Sequence, residues 1–136
     1  MQTSSFFGNM VGIRVNVGGV INCVRSGESN KIFNNTQTGI LLETGGTAEL
    51  SCTEIYGNPQ GILVQKAGVL DLIGNLNYIH SNTMVGIEVK DFAHAFLGQT
   101  EISGNALDVS IHDGGQAKCN PFLIGTIVSD CIYCKK

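Results

Sequence analysis

The chain has 136 residues, enough for one domain with one continuous core. Its formal net charge is −3 and its eight basic residues are scattered, which argues against nucleic-acid binding through a basic patch. Eighteen glycines, two prolines, no tryptophan and only 14% charged residues are typical of many short strands joined by tight turns.

A short phrase ending in asparagine occurs five times along the chain. The asparagines that end the copies are Asn9, Asn35, Asn58, Asn82 and Asn105. They lie 26, 23, 24 and 23 residues apart, within the range of periods that marks solenoid repeats. Each is followed by a small apolar segment, which starts at Gly12, Gly39, Gly61, Gly86 and Ala106 in turn.

Apolar and polar residues alternate with a period of two in every repeat, which predicts three short strands per repeat. The first strand of each repeat places one residue inward: Phe6, Ile32, Ile55, Ile79 and Ile102. The second places a pair inward: Ile13 and Val15, Ile40 and Leu42, Ile62 and Val64, Ile87 and Val89, Leu107 and Val109. The third also places a pair inward: Ile21 and Cys23, Ala48 and Leu50, Leu70 and Leu72, Ala95 and Leu97, Ala117 and Cys119.

One repeat cannot bury these side chains alone, but stacked repeats cover them with like residues above and below. We therefore expect an all-β parallel β-helix of about five coils over residues 1–119. Glycine-containing corners follow the second strand in every coil except the fourth, where Asp91 and Phe92 predict an irregular corner. The five asparagines should take up left-handed backbone geometry and form a hydrogen-bonded ladder along the rod.

The two ends of the predicted rod differ. Residues 120–136 lack the asparagine phrase and begin with Asn120 and Pro121, so we expect them to cap the C-terminal end. The first asparagine comes only nine residues into the chain. Either residues upstream have been removed, or an end-to-end partner covers Phe6 and Ile13.

The phrase N-x-x-G-I-x-V-x-x-G-G, most evident around Asn9, Asn58 and Asn82, resembles the right-handed parallel β-helix superfamily. That superfamily includes pectate-lyase-like enzymes, NosD-type repeat proteins, phage tailspikes and autotransporter passengers. The resemblance covers about residues 4–119. It implies the fold but no single activity, because this fold carries lyases, hydrolases, epimerases and inert adhesins.

Charged residues on the outer face of the second strand are the candidates for catalysis. Alignment of the repeats places Glu88 beside Asp108, about 5 Å apart, the separation that a retaining glycosidase uses. Lys90 and Arg14 lie on the same face. Exposed carboxylates on consecutive coils are also common in proteins without catalysis, and Lys90 could simply neutralise the pair.

An aromatic row on the outer face of the first strand is the candidate binding surface. It contains Phe7, Phe33, Tyr56 and His80, and Leu41 and Leu63 add apolar area on the neighbouring face. Such a row could stack on sugar rings, form an interface with another subunit, or only stabilise the rod.

The sequence predicts no metal site and no cofactor. Cys23 and Cys119 fall in core positions, and a lone C-x-x-C at Cys131 and Cys134 lacks the further ligands that zinc needs. None of the three histidines has a carboxylate or nucleophile at a repeating spacing.

We therefore expect a non-catalytic module for surface recognition or assembly that binds glycan or protein along its long face. The alternative is a carbohydrate-active enzyme fragment: a lyase, hydrolase or epimerase. The chain should be a homo-oligomer or part of a larger protein. The start of the chain lacks a signal-peptide pattern and no stretch is long enough to span a bilayer, so we expect a cytoplasmic protein if the chain is complete and a secreted or surface protein if it is a fragment.

Overall fold

The chain folds as an all-β parallel solenoid with about five stacked coils, as the repeats predict. The computed structural model describes residues 4–23, 29–73, 77–98, 100–119 and 123–129, and these contain sixteen strands. Strands from successive coils pair in parallel and form three sheets of five, six and five strands, called sheets A, B and C. No helix in the described residues is long and apolar enough to cross a bilayer.

Each coil contributes one strand to each sheet. The first coil contains β1 (Ser5–Phe7), β2 (Val11–Val15) and β3 (Val20–Cys23). The second contains β4 (Asn30–Phe33), β5 (Thr38–Leu42) and β6 (Thr47–Leu50), and the third β7 (Thr53–Tyr56), β8 (Gln60–Val64) and β9 (Val69–Leu72). The fourth contains β10 (Tyr78–His80), β11 (Val85–Val89) and β12 (His94–Gly98), and the fifth β13 (Glu101–Ser103), β14 (Leu107–Ile111) and β15 (Gln116–Cys119). One more strand, β16 (Ile127–Ser129), extends sheet B beyond β14.

The core consists of rows of aliphatic side chains that run along the rod axis. In sheet A, for example, Ile32, Ile55 and Ile79 lie directly over one another and are almost completely buried. The inward residues predicted for sheet A and for the first four coils of sheet B stack as expected. In sheet C the prediction holds up to Leu97, where β12 bulges and Cys119 pairs with Gly98 instead.

The predicted register of the fifth coil in sheet B is wrong by two residues. Val109 pairs with Ile87 and Ile111 pairs with Val89, whereas Leu107 lies beside Val85. Counted from its asparagine, the fifth coil has Asp108 where the first coil has Gly12. Asp108 is therefore buried, and Ser110 is the neighbour of Glu88 in this sheet. The predicted Glu88–Asp108 carboxylate pair does not form.

The five repeated asparagines form a continuous ladder at the corner between sheets A and B. The Nδ2 of Asn35 donates to Oδ1 of Asn58 at 3.0 Å, Asn58 to Asn82 at 3.1 Å, and Asn82 to Asn105 at 2.8 Å. The Oδ1 atom of every ladder asparagine after Asn9 also accepts the backbone N–H of the asparagine one coil earlier. The left-handed residue is the one before each asparagine, such as Asn34 or Ser81, and not the asparagine itself.

Asp108 ends this ladder with a carboxylate. Its Oδ1 accepts the backbone N–H and the Nδ2 of Asn105, at 3.0 and 2.8 Å, as a sixth asparagine would. Its Oδ2 accepts the backbone N–H of Thr126 at 2.7 Å and the Thr126 hydroxyl at 3.1 Å. One buried carboxylate therefore closes the ladder and attaches the chain segment that carries β16 to the fifth coil.

The corners between sheets B and C are alike in all five coils, which corrects the irregular corner predicted for the fourth. Two successive residues have positive φ at each corner: Val17 and Gly18, Thr44 and Gly45, Lys66 and Ala67, Asp91 and Phe92, Asp113 and Gly114. Backbone hydrogen bonds join these corners along the rod, including one from Phe92 N to the Asp113 carbonyl. The corner is set by backbone stacking, which Asp91 and Phe92 satisfy without a glycine.

The segment after the fifth coil covers part of the C-terminal end. β16 pairs with β14, and Ile124 bridges to Ile102 in sheet A. Ile124 is buried, which adds an apolar layer beneath the last coil. Cys131, Cys134, Asn120 and Pro121 lie outside the described residues.

Replacing a buried asparagine of the ladder should destabilise the fold strongly. We expect Asn58→Ala to lower the free energy of unfolding by about 3–5 kcal/mol, because the buried N–H groups of Asn35 lose their acceptor. Asn9 is exposed, so Asn9→Ala should cost less than about 1.5 kcal/mol. Urea denaturation measures both values, and equal losses would contradict the ladder.

The carboxylate that ends the ladder should not be replaceable by an amide. Asp108→Asn gives one side-chain atom hydrogens where the carboxylate accepts N–H groups, so we expect a loss of about 1–3 kcal/mol in unfolding free energy. The matched control is Asp91→Asn at a corner, where a change within about 0.5 kcal/mol is expected. If Asp108→Asn leaves the unfolding free energy unchanged, the ladder does not need an anionic end.

Candidate functional site

A groove lies on the outer face of sheet B. It has a volume of about 590 Å³. Its floor is formed by Leu41 and Leu63, which are adjacent in β5 and β8. Val85 and Met84 form one side, and Glu88 lies at the end nearest the C-terminus. We call this feature the sheet B groove.

The groove exists because the outward residues of sheet B change along the rod while the inward ones do not. The row that contains its floor reads Arg14, Leu41, Leu63, Glu88, Ser110 and Val128 from coil to coil. Leu41 and Leu63 are half-buried, so their side chains remain partly accessible from solvent. The predicted binding residues Leu41 and Leu63 are therefore brought together, but on a different sheet from the aromatic row.

A network of polar side chains surrounds Glu88 at one end of the groove. Its Oε1 lies 2.8 Å from His112 Nε2 and 3.9 Å from Lys90 Nζ, and its Oε2 accepts a hydrogen bond from Gln60 Nε2. The other ring nitrogen of His112 lies 2.8 Å from Asp113 Oδ2. We call Glu88, Gln60, Lys90, His112 and Asp113 the Glu88 cluster.

His112 was missed by the sequence analysis. The two-residue error in the fifth coil placed Ser110 in the row of Lys90, whereas His112 follows the inward Ile111 just as Lys90 follows Val89. In the third coil this position is held by Gln65, seven residues after Asn58, and His112 likewise lies seven residues after Asn105, so the spacing of the third coil places His112 correctly. Its hydrogen bond to Glu88 raises the pKa of His112 above the usual 6.5, against the opposing effect of burial, and Asp113 adds to the rise.

Arg14, another catalytic candidate, lies at the opposite end of the same outer row. Its Nε donates to Glu43 Oε1 at 2.9 Å, and Nη2 binds the same oxygen. Gln65 Nε2 donates to Glu43 Oε2 at 3.0 Å. The guanidinium lowers the pKa of Glu43, although burial opposes the change. Of the four catalytic candidates, only Glu88 and Lys90 are brought together; Asp108 is buried in the ladder and Arg14 is bound to Glu43.

The aromatic row on sheet A forms a stack of parallel rings. Centroids are 5.1 Å apart from Phe7 to Phe33 and from Phe33 to Tyr56, and 5.2 Å from Tyr56 to His80. The interplanar angles are 15°, 4° and 8°. The rings therefore cover one another's faces and present mainly their edges to solvent. Sugar rings pack on aromatic faces, which inside this stack are already occupied.

The end of this stack is held by polar contacts. His80 Nε2 lies 2.9 Å from Glu54 Oε1, and its Nδ1 lies 2.9 Å from Ser81 Oγ. Tyr78 also stacks on the His80 ring, with centroids 4.1 Å apart. These contacts fix the last ring of the stack, which favours a role in stabilising the rod.

The described residues contain no group of three or more His, Cys, Asp or Glu side chains arranged to hold a metal ion. Cys52 is buried and Cys23 is half-buried. Cys119 packs against the core, as predicted, and is disulfide-bonded. None of the three lines the sheet B groove.

Comparison of the chain with protein-family models, with curated proteins and with solved structures gave no match. The assignment of the fold therefore depends on the parallel pairing of the strands and on the repeated rows, both of which are observed directly.

His112 should titrate at a higher pH in the folded protein than an unperturbed histidine does. Because the folded protein holds the pKa of His112 above 6.5, the stabilisation from its protonated ring is complete below that value and is lost as pH rises through the raised pKa. An NMR titration of the His112 ring protons should show the raised pKa. In Glu88→Gln, which lacks the anionic acceptor, that pKa should fall. An unchanged value would show that Glu88 does not act on His112.

Proposed function

We propose that this chain is a non-catalytic recognition module that binds an extended protein segment in the sheet B groove. The observation that carries the proposal is the groove itself, with its floor of half-buried leucines on an otherwise regular solenoid face. Apolar side chains of a bound segment would cover Leu41 and Leu63, and burial of such area is the main favourable term in association.

The chemistry of the groove favours protein over glycan as the ligand. Its principal polar side chains already bond to one another: Thr38 donates to Gln60 at 3.2 Å, and Gln60 donates to Glu88. A glycan needs many available donors and acceptors, and commonly an aromatic face on which a sugar ring can pack. No aromatic side chain lines the groove, so an apolar peptide fits its surface better.

We also propose that the chain is related to the right-handed parallel β-helix superfamily. The support is the repeated asparagine phrase, together with three parallel sheets and short coils. The relationship implies no activity, because the superfamily contains both enzymes and binding proteins.

The alternative function, a carbohydrate-active enzyme fragment, has less support. Asp108 accepts four hydrogen bonds inside the rod and is buried, so it does not reach a substrate on the sheet B face. Glu88 keeps Lys90 and His112 beside it, but its neighbour on the next strand is Ser110 instead of the second carboxylate that a glycosidase pair requires.

Selection from a phage-displayed random peptide library against the immobilised full chain tests the proposed function. Selected peptides should bind Leu63→Lys at least about tenfold more weakly than the unaltered chain, because a charge would lie in the apolar floor. Titration calorimetry with synthetic peptides measures the change.

The matched control is Val69→Lys. Val69 belongs to the same coil as Leu63 but is exposed on sheet C, so this variant should bind the peptides normally. A glycan array with a product assay runs in parallel. Peptides that bind both variants equally would contradict the groove as the site, and glycan hits lost in Leu63→Lys would replace protein by glycan as the ligand.

A further inference from the structure

The sheet B groove carries one charge. Glu88 alone is charged among the described residues that line it. Its side chain is 19% exposed, Leu63 is its neighbour on the adjacent strand, and Val85 begins its own strand. A carboxylate partly shielded from water interacts more strongly with a nearby charge than an exposed carboxylate does. A ligand in the groove therefore meets a single anion at one end of an otherwise uncharged surface.

The two carboxylate oxygens of Glu88 have different partners. Oε1 lies 2.8 Å from His112 Nε2 and 3.9 Å from Lys90 Nζ. Neither His112 nor Lys90 is among the described residues that line the groove. Oε2 accepts a hydrogen bond from Gln60 Nε2, and Gln60 is a lining residue. The basic partners of Glu88 are therefore bound to Oε1, and Oε2 is the oxygen on the groove side.

Oε2 of Glu88 has the capacity for a second donor. A carboxylate oxygen can accept two hydrogen bonds, and the described residues supply one, from Gln60. An ammonium or guanidinium group of a ligand would supply the other through a charge-assisted bond, which is stronger than a bond between neutral groups. The methylene groups of a lysine or arginine would pack on Leu63 while the charged end reaches Oε2.

The net charge around Glu88 does not oppose a further cation. The Glu88 cluster has two carboxylates, Glu88 and Asp113, and two basic groups, Lys90 and His112. Its formal charge is therefore zero when His112 is protonated and negative when it is not. A cation that donates to Oε2 would lie nearer to the carboxylate of Glu88 than to the basic groups on Oε1, so attraction exceeds repulsion.

The other end of the same outer row does not suit a basic ligand residue. The row places Arg14, Leu41, Leu63 and Glu88 in successive coils. The Arg14 side chain is 58% exposed, although its guanidinium is bound to Glu43. A basic side chain there would meet an exposed guanidinium, whereas at Glu88 it meets a carboxylate. Charge complementarity therefore selects the Glu88 end.

The spacing of the row indicates where the basic residue lies in the ligand. Lining residues come from the first four coils, so the groove crosses the strands and runs along the rod. Because strands lie about 4.8 Å apart, Glu88 is about 7 Å along the rod from the midpoint between Leu41 and Leu63. Alternate residues of an extended chain point to the same side and also lie about 7 Å apart. An apolar residue on the leucines thus places the second residue after or before it at Glu88.

We propose that the ligand of the sheet B groove is a basic protein segment in which a lysine or arginine, two residues from an apolar residue, donates to Glu88. This inference rests on the proposed function, because it specifies the ligand of the same groove. Leu41 and Leu63 bind the apolar residue, and Glu88 selects the basic one.

Parallel selections from a phage-displayed random peptide library on the unaltered full chain and on Glu88→Gln test this inference. The unaltered chain should enrich lysine or arginine two positions from an apolar residue, and Glu88→Gln should keep only the apolar enrichment. Titration calorimetry then compares a selected peptide with its analogue in which glutamine replaces the basic residue. The analogue should bind the unaltered chain about tenfold more weakly, because a charge-assisted hydrogen bond is lost, and Glu88→Gln should bind both peptides alike.

Glu101→Gln is the matched control, because Glu101 is exposed on sheet A, and it should keep the tenfold difference between the two peptides. The exchange in the peptide leaves the fold of the chain untouched. Peptides that need Leu63 but show no basic enrichment, or a difference that persists in Glu88→Gln, overturn this inference and leave the proposed function standing. Peptides that bind Leu63→Lys as tightly as the unaltered chain overturn the proposed function, and this inference with it.

Discussion

The hydrogen bonds between stacked asparagines fix how each coil lies on the next. Asn58 is fully buried, and its Oδ1 accepts both the backbone N–H and the side-chain amide of Asn35. A slip of one residue between coils would leave these groups buried without partners, at a cost of about 1–3 kcal/mol for each. Register is therefore set at one corner, and the aliphatic rows of the core and the rows on the outer faces follow from it.

The ladder also explains the glycines beside it and the difference between the two ends. A Cβ added at Gly61 would lie 2.4 Å from the Gly86 carbonyl oxygen and 3.0 Å from Asn82 Nδ2, so no side chain fits while another asparagine lies below. In the fifth coil no sixth asparagine follows, and the carboxylate of Asp108 takes the position of its amide oxygen. Since all donors in the ladder point toward Asp108, one end is closed by an anion and the other offers an acceptor.

The sequence predicts most of the fold, because period-two alternation and a repeated anchor identify inward residues without knowledge of contacts. The prediction is wrong where the hydropathy pattern and the spacing from the repeated asparagine give different alignments. The segment from Ala106 to Val109 resembles the apolar segments of earlier coils, so Leu107 was aligned with Ile87, yet Val109 lies four residues after Asn105, just as Ile62 lies four residues after Asn58. A charged residue was not expected at a position that glycine occupies in other coils. The resulting two-residue error in the alignment moved His112 out of the row of Lys90, so the contact between His112 and Glu88 was not predicted. The prediction of an irregular fourth corner is wrong for another reason. Positive φ was equated with glycine, but backbone hydrogen bonds between the stacked corners hold Phe92 at φ 58°.

The outer faces of sheets A and B differ in how uniformly their residues repeat from coil to coil, and this bears on the proposed recognition function. On sheet A, similar rings stack at about the spacing of the coils, so the faces of these rings are already covered by one another. The outer row of sheet B changes from a cation through two leucines to Glu88, and stacking of unlike residues adds little to the rod. A row that the fold does not need to keep uniform can vary to suit a ligand. Residues that break the repeat without disturbing the ladder are therefore the ones on which the proposed recognition would depend, and Leu41, Leu63 and Glu88 are such residues.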